Sequence, residues 1–259
     1  VSLLSVEHLA KGFGGVRAID DLSFEVEPGR VHALIGPNGA GKTTLFNLIT
    51  GIYTPSAGRV RFRDRDVTGM PPHRLAQLGL SRTFQNLQVC LNMSTVENVM
   101  LGRHRHLDGR FLPALLRAPW LARGERQCLE RAGELLEFVG IAEYAEESAD
   151  ALPYGVLKRL EIARALASEP ELLLLDEPAA GLNPAETAAI DALIGRIAGS
   201  GVTVVLVEHD MKLVMGVAEH IVVLDYGRKI GEGTPAEVRA NPEVIAAYLG
   251  TAATEEGGR

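Results

Sequence analysis

The run Gly36-Pro37-Asn38-Gly39-Ala40-Gly41-Lys42-Thr43 sets glycines, a lysine and a hydroxyl at the spacing G-x-x-x-x-G-K-[ST]. That spacing suits phosphate chemistry. Glycines let backbone N–H groups turn toward anionic oxygens with no side chain in the way. A helix starting at Thr44 adds the positive end of its dipole. Lys42 is expected to reach β- and γ-phosphates as a point charge, and Thr43 to offer its hydroxyl to Mg2+. A second chemical feature is Leu172-Leu173-Leu174-Leu175-Asp176-Glu177, an apolar strand ending in two carboxylates. Open α/β sheets bind ligands at the C-terminal ends of their strands. Asp176 is therefore expected to hold Mg2+ through water, and Glu177 to act as general base toward an attacking water. His209 follows the valine-rich run 202–207, and Gln85 follows the strand-like run 81–84. Each means little alone and gains weight from its order in the chain.

These residues need elements that hold them. Val31–Ile35 is a short apolar run that reads as a buried strand leading into the glycine loop. Residues 44–49 with Gly51 beyond them read as the helix that follows it. Leu22, Phe24 and Val26 alternate with polar residues, and so do Val60 and Phe62 with Arg59, Arg61 and Arg63, the period of half-buried strands. Leu129, Ala132, Leu135, Leu136 and Val139 share one helix face, with Gly140 as a stop. Asn183-Pro184-Ala185-Glu186 and Thr234-Pro235-Ala236-Glu237 are capping boxes that open two more helices. Strands alternating with helices predict a parallel sheet covered on both faces.

Composition sets the limits. The chain has 259 residues, 46% hydrophobic and 23% charged, with a net charge of -7. This excludes a disordered or disulfide-built protein and makes nucleic acid a poor partner. Cys90 and Cys128 are not in a C-x-x-C spacing and suit a reducing cytosol. No apolar run approaches the ~20 residues that cross a bilayer, and the start, Val1-Ser2-Leu3-Leu4-Ser5, lacks the basic region of a secretory leader. Residues 102–127 form a basic, proline-broken insertion, and 251–259 read as a frayed tail.

The order of phosphate loop, Gln85, a glycine-containing segment, Asp176-Glu177 and His209 resembles the ATP-binding cassette (ABC) ATPases, from about Ser5 to Gly250. Within that family, Arg82-Thr83-Phe84-Gln85-Asn86, the basic insertion, the run 178–184, the run 208–216 and the ending Asn241-Pro242 … Ala247-Tyr248-Leu249-Gly250 are similar to the G-type ATPase subunits of bacterial branched-chain amino acid importers. The resemblance implies an α/β P-loop NTPase fold. A RecA-like parallel-sheet core and an antiparallel β subdomain would take residues 1–86 and 164–231, a helical subdomain 87–163, and a C-terminal helix 232–250. It implies ATP and Mg2+ as cofactors. Phe13 would stack on adenine. Gln85 would join the Mg2+ site to a membrane partner, Asn183 would meet an opposite subunit, and His209 would contact the γ-phosphate. The implied partners are a second ATPase subunit, two permeases and, indirectly, a periplasmic solute-binding protein, at the cytoplasmic face of the inner membrane. A related urea or amide importer, or a lipopolysaccharide-type exporter, is the alternative. A non-transport ABC ATPase ranks last, because coiled-coil insertions, zinc insertions and a second cassette are all missing. No lysine lies in an N/T-K-x-D motif, which argues against a GTPase. A non-hydrolysing cassette would be expected to lack Glu177 or His209.

One segment departs from the family. The usual signature is Leu-Ser-Gly-Gly-Gln, and here it reads Leu152-Pro153-Tyr154-Gly155-Val156, followed by a helix expected over 157–167. By the resemblance Pro153, Tyr154 and Gly155 face a γ-phosphate on the partner. Proline supplies neither hydroxyl nor N–H, while Gly155 and the helix dipole remain. The expectation is a heterodimer, with a homodimer as the alternative, in which this chain's own phosphate loop is completed by the partner's better signature and the reciprocal site is slower.

Overall fold

The computed structural model describes residues 2–103 and 119–248. Its strands are Leu4–Phe13 (β1), Val16–Val26 (β2), Val31–Ile35 (β3), Ala57–Phe62 (β4), Arg65–Asp66 (β5), Leu80–Arg82 (β6), Leu172–Asp176 (β7), Thr203–Val207 (β8), His220–Asp225 (β9) and Arg228–Gly233 (β10). Its helices are Lys42–Ile49 (α1), Pro72–Leu78 (α2), Thr95–Gly102 (α3), Pro119–Val139 (α4), Tyr154–Leu166 (α5), Pro184–Gly199 (α6), Met211–Val217 (α7) and Pro235–Ala240 (α8), followed by a helical stretch over 242–248 (α9).

A six-stranded sheet runs in the order β10-β9-β3-β8-β7-β6, parallel except for β10. A four-stranded antiparallel sheet runs β2-β1-β4-β5. The central strands are mostly apolar because both faces are covered. Val31, Ala33, Ile35, Leu173, Leu175, Val204, Leu206, Ile221 and Val223 join a cluster with α4, α5 and α6. Their alternates Leu34, Leu172, Leu174, Val205, Val207, Val222 and Leu224 pack against α1 and the antiparallel sheet. A period of two sorts one strand's residues onto opposite faces, so the uninterrupted leucines and valines require two layers of cover.

Both capping boxes form. Asn183 accepts from the N–H groups of Ala185 and Glu186, and Thr234 from that of Glu237. Three sequence expectations change. The helix expected over 157–167 spans Tyr154–Leu166, because Pro153 is its N-cap. The strand expected over 81–84 occupies Leu80–Arg82. The single C-terminal helix divides at Asn241, since Pro242 cannot continue α8. Most of the basic insertion (104–118) and the tail (251–259) lie outside the described residues. No helix among the described residues is long and apolar enough to cross a membrane.

Candidate functional site

β3 delivers the glycine loop at its C-terminal end, and α1 starts on Gly41, which has φ 102°. A side chain is excluded at the head of the loop. A Cβ on Gly36, which has φ 153°, would lie 2.1 Å from the Leu224 carbonyl oxygen of β9. Lys42 is buried, with Nζ donating to the carbonyls of Gly36 (2.6 Å) and Pro37 (2.9 Å). Burial lowers the Lys42 pKa, and the carboxylates of Glu177 and Asp176 oppose that shift. Asn38, Gly39, Ala40, Gly41, Lys42, Thr43 and Thr44 line one cleft of about 420 Å³ together with Gln85, Glu177 and Tyr226. Residues far apart in the sequence thus share one concave surface.

Asp176 ends β7 and sits beside β6. Its Oδ2 accepts from Arg82 at 2.6 Å, both side chains being nearly water-free, at 4% and 5% exposure. Arg82 also donates to Asn47 Oδ1 (2.7 Å) and Thr50 Oγ1 (3.1 Å) at the end of α1. Its guanidinium stacks between Phe46 and Phe84, at 5.3 and 4.9 Å from the ring centroids. One buried cation therefore ties the helix after the phosphate loop, the Asp176 carboxylate and the Gln85 loop together.

Glu177 takes a strained backbone, φ 48°, with its N–H donated to Val207 of β8 at 2.9 Å. This turns its side chain out of the sheet to meet Gln85, whose Nε2 donates to Glu177 Oε2 at 3.0 Å. His209 Nδ1 stands 4.0 Å from Glu177 Oε1, and the imidazole is 62% exposed. Beside it Glu208 is fully buried, accepting from the N–H groups of Ala179 (2.9 Å) and His209 (3.1 Å). Burial raises the Glu208 pKa. Glu208 thereby joins the loop after β7 to the loop after β8. Strained residues held by surrounding structure cluster at functional sites, and Glu177 has that character.

The signature segment lies at the start of α5. Pro153 provides no side-chain cap, and the N–H groups of Val156 and Leu157 return to its carbonyl at 2.9 and 3.0 Å. Tyr154 and Gly155 therefore form the first turn of the helix. Gly155 lies against Glu186: a Cβ there would stand 2.5 Å from Glu186 Oε1, so a larger residue requires that carboxylate to shift. Glu186 in turn belongs to the capping box with Asn183. Phe13 ends β1, edge-on to Tyr53 at 5.3 Å with Lys11 over its ring, and reaches the cleft only through its hairpin partner Val16.

The structure brings Gln85 and Glu177 into the phosphate-loop cleft, sets Asp176 buried on Arg82 close enough to act on the Lys42 charge, and places His209 beside Glu177. It sets the signature segment apart, joined through Lys158, whose Nζ donates to the Glu177 carbonyl at 3.3 Å. Sequence reading missed Lys158 and Glu208 and saw in Arg82 only a motif letter. Buried charges 19 to 94 positions from their partners carry no local signal. The oxygens of Thr43, Gln85 and Asp176 are hard donors of the kind Mg2+ takes. No cluster of three His, Cys, Asp or Glu able to hold a metal occurs among the described residues. That donor set fits a cation completing its shell with substrate phosphates and water.

The ABC transporter family pattern matches residues 19–180, and a branched-chain amino acid ATP-binding cassette transporter pattern matches 228–254. The chain is 47% identical over 251 residues to the high-affinity branched-chain amino acid transport ATP-binding protein BraF of Pseudomonas aeruginosa, covering 96% of this chain and 98% of the relative. It is 44% identical, with the same coverage, to the corresponding protein LivG of Escherichia coli. Among solved structures, the ADP conformation of MJ1267, an ATP-binding cassette of an ABC transporter, superposes with a TM-score of 0.84 at 34% identity, over 96% of this chain and 99% of that one. A nucleotide-free cassette from an ABC transporter gives 0.83 at 32% identity, with the same coverage. With a matched pattern over most of its length and relatives at this identity, the chain belongs to the ABC transporter family of ATP-binding proteins.

Proposed function

We propose that this chain is the ATP-hydrolysing subunit of an importer of branched-chain amino acids. It works at the cytoplasmic face of a bacterial inner membrane with a second cassette and two permeases, and a periplasmic binding protein delivers the solute. The observation that carries the chemistry is the contact of Gln85 with Glu177 at the mouth of the phosphate loop. The solute is taken from the relatives named for branched-chain amino acid transport, which match nearly end to end.

ATP lies along the glycine loop, with Phe13 toward adenine and the β- and γ-phosphates among the N–H groups of residues 36–44 and the Lys42 ammonium. Thr43, Gln85 and Asp176 would hold Mg2+, which would supply charge neutralisation to the phosphates. Glu177 accepts the proton of the attacking water, with Gln85 orienting its carboxylate and His209 fixing the water from the other side. A second cassette closes over the nucleotide, and the helical part of this chain, 87–163, moves with the Gln85 loop against the permeases. ATP favours the closed pair only through contacts made in that state. The N–H groups of Tyr154 and Gly155 face the partner's γ-phosphate, and Pro153 weakens that site. Asn183, its side-chain oxygen engaged in capping, meets the partner through the rest of its loop.

The test is reconstitution with the permeases and partner cassette. Glu177→Gln keeps an acceptor for Gln85 and removes the base. Mg2+-dependent ATP hydrolysis and leucine uptake should both vanish while ATP still drives association with the partner cassette. Hydrolysis persisting in Glu177→Gln, or ATP failing to promote association, refutes the mechanism. Uptake of urea but not of leucine refutes the solute.

A further inference from the structure

Beyond Thr83, whose N–H donates to the Leu174 carbonyl of β7 at 2.9 Å, the chain leaves the sheet, and it then carries Gln85 to Glu177. Its fold comes from across the molecule. Glu161, in the third turn of α5, is 5% exposed. Its Oε1 accepts from the N–H of Phe84 at 3.2 Å and from the N–H of Gln88 at 3.4 Å. These two donors flank Gln85, so residues 84–88 arch around one carboxylate oxygen. We propose that Glu161 is a positioning residue that folds the Gln85 loop and holds Gln85 Nε2 on Glu177.

Three observations converge. A buried polar group is satisfied or it is costly, and among the described residues the hydrogen bonds that Glu161 accepts come from this loop. Burial raises its pKa, against the pull of the loop N–H groups, Lys158 and Arg164. Lys158, one turn earlier on the same helix, holds the Glu177 carbonyl. The helix that begins at Pro153 is thus tied to both members of the Gln85–Glu177 pair, to one through the loop N–H groups and to the other through a carbonyl. A bond to a charged acceptor is roughly twice as strong as a neutral one, which is what a carboxylate offers here over an amide. The catalytic meaning of this contact rests on the function proposed above; the shaping of the loop does not.

The experiment is amide hydrogen exchange on the cassette, with Glu161→Ala and Glu161→Gln beside the wild type. In Glu161→Ala, exchange at Phe84 and Gln88 should accelerate about 10- to 100-fold, the range for losing hydrogen bonds to a charged group. Amides of Tyr154–Leu166 should keep wild-type protection. Glu161→Gln, which retains one acceptor oxygen, should fall between. In the assembled transporter, kcat should drop about tenfold in Glu161→Ala with the KM for ATP unchanged, since the phosphate loop is untouched, and Glu161→Gln should recover most of it. Wild-type exchange at Phe84 and Gln88, or equal acceleration along the whole helix, overturns the proposal. If Glu161→Ala does not fold, Glu161→Gln decides: faster exchange confined to 84 and 88 supports the proposal, and no change refutes it. A wild-type chain that exchanges as described yet hydrolyses no ATP would sink the functional reading and leave the loop assignment standing.

Discussion

Replacing Arg82 with leucine isolates an ionised Asp176 in a site from which water is nearly excluded. The pair is close, at 2.6 Å, with side-chain exposures of 5% and 4%. Removing one partner of such a pair costs about 3–5 kcal/mol. The leucine also forfeits the hydrogen bonds to Asn47 and Thr50, about 1 kcal/mol each, and the stacking between Phe46 and Phe84. The single variant belongs at the upper end, about 5 kcal/mol, against a typical domain stability of 5–15 kcal/mol. Asp176→Asn is milder, about 1–3 kcal/mol, because the guanidinium keeps Asn47, Thr50 and an amide oxygen. The double variant removes both charges, so the two losses should not add: a coupling of about 2–3 kcal/mol is expected. Urea unfolding of the nucleotide-free cassette at pH 7 reads each term from the midpoint and slope. Additivity within about 0.5 kcal/mol would refute the reasoning. Arg82 would then be buried for its stacking, and Asp176 would not depend on it.

Three further outcomes follow from other parts of the molecule. Pro153→Ser with Val156→Gln should raise ATP hydrolysis in the assembled heterodimer, and the serine alone should stabilise α5 by about 1 kcal/mol as a new N-cap; an unchanged rate counts against an impaired second site. Gly155→Ala should change stability little, since the displaced Glu186 carboxylate offsets the gain of about 1 kcal/mol that alanine brings to a helix; in a Glu186→Ala background the same change should raise the thermal midpoint, and no rise there would refute the contact. His32 is buried beside His220, Glu27 and Arg30, and burial above all pulls its pKa from 6.5 to about 4. The unfolded chain binds the proton first on acidification, so this stability is complete above pH 6.5 and is lost toward pH 4. At 1.36 kcal/mol per pH unit that makes about 3 kcal/mol. A His32→Phe variant should flatten the urea midpoint between pH 4 and 7, and an unaltered slope would exclude His32 as its source.

The phosphate loop, the carboxylate strand and both capping boxes were legible because their signals are local: a glycine spacing, an apolar run, an N-cap three residues before a glutamate. The helix expected from 157 starts at Tyr154, because proline, which has no N–H to give, ends the preceding segment by serving as the N-cap. The break at Asn241 was overlooked although Pro242 signals it. What organises the site is non-local. Gln85 gained meaning only from its place in the order of motifs, and the structure adds the hydrogen bond to Glu177, 92 positions away. Arg82, Glu161 and Glu208 look like surface charges in the sequence. Their burial depends on which strand tips the parallel sheet places side by side.

The same non-locality orders events in time. The phosphate loop is encoded by residue 43, but its walls arrive late. The Leu224 carbonyl closes on Gly36, and the Gly227 N–H bonds the Ala40 carbonyl at 2.9 Å while the Gly227 carbonyl takes the Asp20 N–H at 2.9 Å. At ~5–20 residues per second, a ribosome needs roughly 10–40 s more to deliver that turn after the loop itself is made. During that interval the nascent chain carries the nucleotide sequence motif without the nucleotide site. Ribosome-arrested chains ending before Leu224 should therefore show no ATP photocrosslinking, and chains extended past Arg228 and clear of the exit tunnel should gain it.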